Sequence, residues 1–249
     1  MKYSELIETD TRLGKTVNLT KEGQGGVFYT IQGEGKFTGV PSVFIRTSGC
    51  NLRCQWKNYD GSFTKCDTPH SSWDPENNPT SIQKILNRVK KFNCKHVVLT
   101  GGEPYMQKSS ADLIDVLVEN GYYVTVETNG TICRPTKAQF ISFSPKLESS
   151  NTASWKAKRL VHRSMQMFFD LMKDYQMKFV MNDPEDLGEI LDFQKKYDIP
   201  DNKIWIMPQG ITDEQIKERA DWIVEICKQL GWNFSMRQHI WLYGSKKGV

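Results

Sequence analysis

The stretch GCNLRCQWKNYDGSFTKCDT, residues 49–68, holds three cysteines. Cys50 and Cys54 are spaced to share one ligand, and Cys66 follows after a polar interval containing Tyr59, Asp60, Gly61 and Ser62. Thiolates bind both zinc and iron–sulfur clusters. His70, four residues after Cys66, would complete a Cys3His zinc set. Three cysteines can instead hold a cluster and leave one iron open for a substrate or cofactor. The thiols alone leave both metals open. Cys94, Cys133 and Cys227 lie in or near apolar runs and read as packed side chains.

Several other residue types that could do chemistry follow apolar runs. Gly101–Gly102–Glu103–Pro104, Glu127–Thr128–Asn129–Gly130, Ser144–Pro145–Lys146 and Pro208–Gln209 each come just after one. The runs are VPSVFIRTSG (40–49), HVVLTGG (96–102), YYVTVETNG (122–130), FISFSP (140–145), MKFVMN (177–182) and IWIMPQG (204–210). Their nearly continuous apolar character suits buried parallel strands. Amphipathic stretches at 81–92, 112–119, 160–175, 184–197 and 212–230 separate them and predict helices. The alternation predicts an α/β fold with about six parallel strands, as a sheet or an open barrel. The polar turns then share the C-terminal edge of the sheet, where such folds carry their sites. The cysteines follow the first strand and open on the same edge. The segment 147–159 reads as an exposed polar loop.

The chain has 249 residues, enough for one sizeable domain, and neither a linker nor a repeat divides it. Net charge is +4 with scattered basic residues, which gives no nucleic-acid footprint. The short basic groups Lys156–Lys158–Arg159 and Lys246–Lys247 read as solvated surface. No apolar run approaches the ~20 residues of a membrane span. The opening MKYSELIETDTRLGK lacks the apolar core of a leader. A cytoplasmic location is expected, where the six cysteines stay reduced.

GCNLRCQW followed by CDTP resembles the cluster loop of radical S-adenosylmethionine enzymes, and more narrowly that of the 7-carboxy-7-deazaguanine synthase family. FYTIQGEGKFTGVPSVFIRTSGC (28–50), TGGEP (100–104), ETNGT (127–131) and SPK (144–146) are similar to that family's segments in order and approximate spacing. QMKFVMNDPEDL (176–187) and RQHIWLYGSKKGV (237–249) are similar more loosely, and 147–174 is the least familiar part. The family's loop places two residues between its second and third cysteines, so 57–65 is an insertion of nine. A tip of Asp60–Gly61 lets such an insertion turn back on itself.

The resemblance implies a single radical SAM domain over 1–249, an open partial β/α barrel with its cluster loop at 50–66 and a C-terminal tail, 232–249, that caps the substrate. It implies a [4Fe–4S] cluster on Cys50, Cys54 and Cys66, S-adenosylmethionine, and Mg²⁺ on Thr68, a hard-oxygen ligand. For the cofactor it points to Gly101, Gly102, Glu103, Glu127, Asn129, Ser144 and Lys146, the glycines allowing close backbone approach. For the substrate it points to Gln32, Glu34, Arg46, Thr100, Gln209 and His239, with Arg46 matched to a carboxylate. The implied reaction converts 6-carboxy-5,6,7,8-tetrahydropterin to 7-carboxy-7-deazaguanine with loss of ammonia, as in queuosine-type deazapurine biosynthesis. The implied partners are this pterin, a one-electron reductase such as flavodoxin, and a second copy in a homodimer. Two other readings share parts of the pattern. An activase that makes a glycyl radical on a protein has the cysteine loop and GGEP but no need of Gln32, Glu34 and His239. A zinc-stabilised binding module would use Cys50, Cys54, Cys66 and His70.

Overall fold

A computed structural model of the chain describes residues 10–21, 26–150, 159–172, 174–244 and 246–248. Most of the opening stretch, and Lys156 and Lys158 of the first basic group, lie outside the described residues.

The strands are β1 (Thr16–Asn18), β2 (Val27–Ile31), β3 (Pro41–Thr47), β4 (Gln55–Lys57), β5 (Phe63–Lys65), β6 (Pro79–Ser81), β7 (His96–Gly101), β8 (Tyr123–Thr128), β9 (Phe140–Phe143), β10 (Tyr175–Met181), β11 (Ile204–Pro208) and β12 (Asn233–Phe234). The helices are α1 (Pro69–Ser72), α2 (Ile82–Val89), α3 (Ser109–Glu119), α4 (His162–Leu171), α5 (Asp186–Tyr197), α6 (Asp213–Leu230) and α7 (Gln238–Tyr243). The order β12-β11-β10-β9-β8-β7-β3-β2 makes one open sheet of eight strands. Every neighbouring pair from β3 to β12 is parallel, and β2 joins β3 antiparallel at one edge. All six strands expected from the apolar runs form. The parallel set gains the two-residue β12, and β2 arises from the segment that leads into QGEG.

Helix ends follow local chemistry. Ser81 caps α2 by accepting the Lys84 N–H, and Thr212 caps α6 by accepting that of Gln215. Gly231 ends α6 in the left-handed conformation at φ 70°. No helix joins β8 to β9, as expected from 129–139, which carries turn residues and Pro135 without a helical apolar period. One expectation fails at the start of the expected exposed loop, where Leu147 and Ser150 are buried.

The strands alternate, so the two faces of the sheet differ. Val43, Ile45, Val97, Leu99, Val124, Val126, Phe143, Met177, Phe179 and Ile206 face the helices and form the main core. The opposite, inner face carries His96, Thr100, Thr125, Glu127, Ser142, Gln176, Lys178 and Gln209. The near-continuous apolar reading of these strands therefore holds for one face only. At the lower end of the inner face, His96 bonds the hydroxyls of Ser42 and Thr125, each at 2.8 Å, and Phe37 packs edge-on to Phe140 with centroids 4.9 Å apart. This packing closes the bottom of the half-barrel and leaves its upper end open.

Candidate active site

The upper end is a cavity of about 560 Å³. Cys50, Cys54, Cys66 and Thr68 line one side of it, with Gly101, Gly102, Glu127, Asn129, Ser144 and Lys146 along the strand ends. Gln32, Glu34, Arg46, Thr100, Gln209 and His239 line it from the edge strand, the sheet and the tail. Topology thus brings together all but one of the residues singled out from the sequence.

Glu103 is the exception. It is fully buried behind the wall, where it accepts the N–H of Tyr105 at 3.0 Å and the Thr128 hydroxyl and Asn129 N–H at 2.8 Å each. Burial pushes its carboxyl up to about 7 against those donors. Its carboxylate braces the ETNG turn, and Asn129 in turn donates to Asn51 Oδ1 in the cluster loop at 3.0 Å. The two glycines before it also have a packing role. Gly101 sits at φ 141°, and a Cβ there would strike the Thr47 carbonyl. A Cβ on Gly102 would meet the Gly49 and Ser71 carbonyls. Their backbones join the base of the cluster loop, with Gly102 N–H donating to Thr47 O at 3.2 Å and Glu103 N–H to Gly49 O at 2.8 Å.

The inserted segment is a β-hairpin rather than an irregular loop. β4 and β5 pair Gln55 with Lys65, Trp56 with Thr64 and Lys57 with Phe63, and Gly61 at φ 85° lets the tip turn. Trp56 is buried with Leu52 and Cys54 in a small cluster that Cys50, Cys66 and Val180 complete. All six cysteines are free thiols. Burial pushes the thiols of Cys50 and Cys54 up, to about 11 and about 12, opposed in part by the Lys146 ammonium. Thiols this hard to ionise become thiolates when they ligate a metal. The donor set fits a cluster: three free thiols face one cavity, and the Leu52 N–H donates to Cys50 Sγ at 3.4 Å. Among the described residues, no three His, Cys, Asp or Glu side chains are grouped to hold a single ion. The Cys3His zinc set is therefore not assembled. His70 instead lines the cavity, with both ring nitrogens buried and without hydrogen-bond partners.

Glu34 and His239 belong to a charged network with Lys178, Arg237 and Asp67, three residues to which the sequence reading gave no role. Lys178 and Arg237 both donate to the Glu34 carboxylate, the latter from Nε at 3.2 Å, and Arg237 also donates to Asp67 and to Gly210 O. His239 Nε2 lies 3.8 Å from Glu34 Oε1. Burial works against the Glu34 charge, but these cations hold its carboxyl well below the usual range. Burial also lowers His239. Lys178 could have been flagged as the charge within the apolar run MKFVMN; Asp67 stands in CDTP and Arg237 opens RQHIW, but neither motif says that the two pair. The tail folds onto QGEG through the Gln238 N–H, which donates to Gly33 O at 3.0 Å, and Ser235 Oγ, which accepts the Gly35 N–H at 2.8 Å.

Between the two sides, Glu127 accepts Gln32 Nε2 at 3.0 Å and the Thr100 hydroxyl at 2.7 Å. Lys146 donates to Ser144 Oγ at 2.6 Å. Arg46 is half-buried with its guanidinium 5.8 Å from the Phe28 ring. Gln209 is 2% exposed and its Oε1 has no partner, a buried acceptor aimed into the site. Thr68 Oγ1 is 3.4 Å from Cys66 Sγ, a hydroxyl open to the same space. Lys246 and Lys247 are exposed as expected and also stand at the mouth.

Residues 44–223 match the radical SAM superfamily, which defines the class of this fold and site. The crystal structure of QueE from Escherichia coli has the same fold, with a TM-score of 0.65 at 24% identity over 90% of this chain and 95% of that one. The 7-carboxy-7-deazaguanine synthase of Rhodopirellula baltica is 37% identical over 231 residues, 89% of this chain and 86% of the relative. That of Halobacterium salinarum is 37% identical over 236 residues, 87% of this chain and 88% of the relative. The chain belongs to the 7-carboxy-7-deazaguanine synthase family of radical SAM enzymes.

Proposed function

We propose that the chain is a lyase that converts 6-carboxy-5,6,7,8-tetrahydropterin to 7-carboxy-7-deazaguanine with loss of ammonia. The observation that supports it best is one cavity holding three free cysteines on one side and QGEG with a charged tail on the other. Cys50, Cys54 and Cys66 would hold the [4Fe–4S] cluster and Thr68 would offer its hydroxyl to Mg²⁺, which prefers hard oxygen ligands. When bound, the cluster and S-adenosylmethionine supply a one-electron cleavage that gives a hydrogen-abstracting radical.

The protein's part is position and exclusion of water. Glu127 and Asn129 offer an acceptor and an amide to the cofactor's polar groups, Ser144 and Lys146 a hydroxyl and a cation, and the Gly101–Gly102 backbone a close wall. Glu103 acts behind them by fixing the Asn129 turn. Gln32 and Glu34 present an amide and a carboxylate to the 2-amino-4-oxo edge of a pterin, and the Lys178 and Arg237 cations keep Glu34 ionised to accept its N–H groups. Arg46 suits the substrate carboxylate, a fork against two oxygens. Thr100, Gln209 and His239 complete the polar rim of the ring, and Gln209 Oε1 gains the donor it lacks.

A single domain, a cytoplasmic location, a reductase such as flavodoxin and a homodimer belong to the same reading. Trp241 on α7 is 61% exposed and offers an apolar side chain to a second copy. Among the described residues no helix is long and apolar enough to cross a membrane. Anaerobic incubation of reconstituted protein with the pterin, S-adenosylmethionine, Mg²⁺ and reductant tests the activity. Formation of the deazaguanine acid is expected; cofactor cleavage without that product would overturn the substrate assignment.

A further inference from the structure

The hairpin of 57–65 is the part of the site that the proposed reaction leaves unexplained. Its ladder continues to the cysteines themselves, since the Cys66 N–H donates to Cys54 O at 3.0 Å. The insertion therefore adds length without adding reach, because its two ends leave the site side by side. A two-stranded hairpin has little stability of its own, so this register needs an anchor.

Part of the anchor is in the turn, where Asp60 Oδ1 accepts the Ser62 N–H at 2.9 Å and its hydroxyl at 2.6 Å. The rest comes from the body of the fold. Asn182, just past β10, donates Nδ2 to Lys57 O at 3.0 Å, and the Tyr59 hydroxyl donates to Asn182 O at 3.4 Å. Arg219 of α6 is 0% exposed and lays its guanidinium 4.5 Å from the Tyr59 ring centroid. Its Nε donates to Asn182 O at 3.1 Å and its Nη2 to Asn182 Oδ1 at 3.3 Å. Arg219 does not line the cavity, and a buried cation is costly unless it is paired and hydrogen-bonded, as it is here. Its remaining contacts are to its own helix, the Gln215 carbonyl and Glu218.

We propose that Arg219, Asn182 and Tyr59 are positioning residues: they fix the hairpin register and so hold Cys66 against Cys54, making the long spacing equivalent to a short one. The inference rests on the radical SAM reading, in which these thiols hold the cluster. Tyr59 stands at the exposed tip, so Tyr59→Ala perturbs the anchor without opening the core; Tyr59→Phe keeps the ring over Arg219.

Two measurements test it. In protein free of metal, hydrogen exchange of the 55–66 amides is expected to quicken roughly tenfold in Tyr59→Ala while exchange of the sheet core stays unchanged. In anaerobically reconstituted protein, a chelator should strip iron from Tyr59→Ala roughly tenfold faster than from the parent, with Tyr59→Phe in between. Parental exchange in the hairpin of Tyr59→Ala would overturn the anchor. A loosened hairpin with parental iron retention would overturn the link from anchor to cysteines. A parent protein that takes up no iron would overturn the radical SAM reading itself.

Discussion

Along β10, Met177, Phe179 and Met181 are fully buried against the helices, while Gln176 and Lys178, which alternate with them, are nearly as buried and point the other way. On β8, Val124 and Val126 face the core while Thr125 and Glu127 face the cavity side. The same strands thus carry two interiors. One is held by apolar area and aromatic packing, as where Phe143 meets Phe168 with ring centroids 4.9 Å apart. The other is filled by side chains that satisfy one another, such as Ser142 accepting Gln176 Nε2 at 2.8 Å. The difference teaches that burial alone does not mark a core here. The apolar face holds the fold together, and the polar face accepts desolvated charge in order to present it to a ligand.

The largest effect should come from the apolar face. Phe143→Ala deletes a fully buried ring and is expected to cost about 3–5 kcal/mol in urea unfolding, with turnover per folded molecule little changed. A comparable loss of activity in folded protein would break the division between the faces.

Next is the ion network. Lys178→Met should destabilise by about 3 kcal/mol, near the low end for a broken buried pair because Arg237 still faces Glu34. Adding Glu34→Gln should restore part of the stability but none of the pterin turnover. If the double variant is no more stable than Lys178→Met, the charges are not paying for function at the expense of fold.

The two buried carboxyls should respond to pH in opposite directions. Unfolded Glu103 ionises near 4.5 and folded Glu103 near about 7, so stability is full below the first value and falls as pH rises to the second. The decline should be roughly 2–3 kcal/mol and absent in Glu103→Gln, measured as urea midpoints across that window. Glu34 is depressed, so its contribution is present above 4.5 and is lost as pH falls through its folded value. Glu34→Gln should flatten only that acid limb.

The smallest effect sharpens the comparison. Gln209→Leu removes the buried acceptor that lacks a donor, so the ligand-free protein should gain about 1 kcal/mol while substrate KM rises. A loss of stability instead would mean that Gln209 is part of the packing.

The chemistry-bearing turns were legible because each follows a dense apolar run, and the edge they share follows from parallel topology. What the pattern concealed was the inner face. Lys178 sits in a run apolar enough to read as fully packed and Gln176 just before it, and their polarity makes sense only beside Glu34 and Ser142. Glu103 was misplaced for a related reason: GGEP gives its position at the strand end but not whether the side chain turns toward the cavity or behind it.

The sequence by itself determined the six main strands, the shared edge, the three thiols and the family, since these rest on local periodicity and on short ordered motifs. Tertiary structure alone decided that 57–65 is a paired hairpin anchored on Asn182 and Arg219, and that Arg237 joins Glu34 to Asp67. The bonds from Asn182 to the hairpin and from Arg237 to Glu34 and Asp67 link residues over a hundred positions apart, and their energy comes from being desolvated together. No local pattern carries that information, because it belongs to the cavity and not to any one segment.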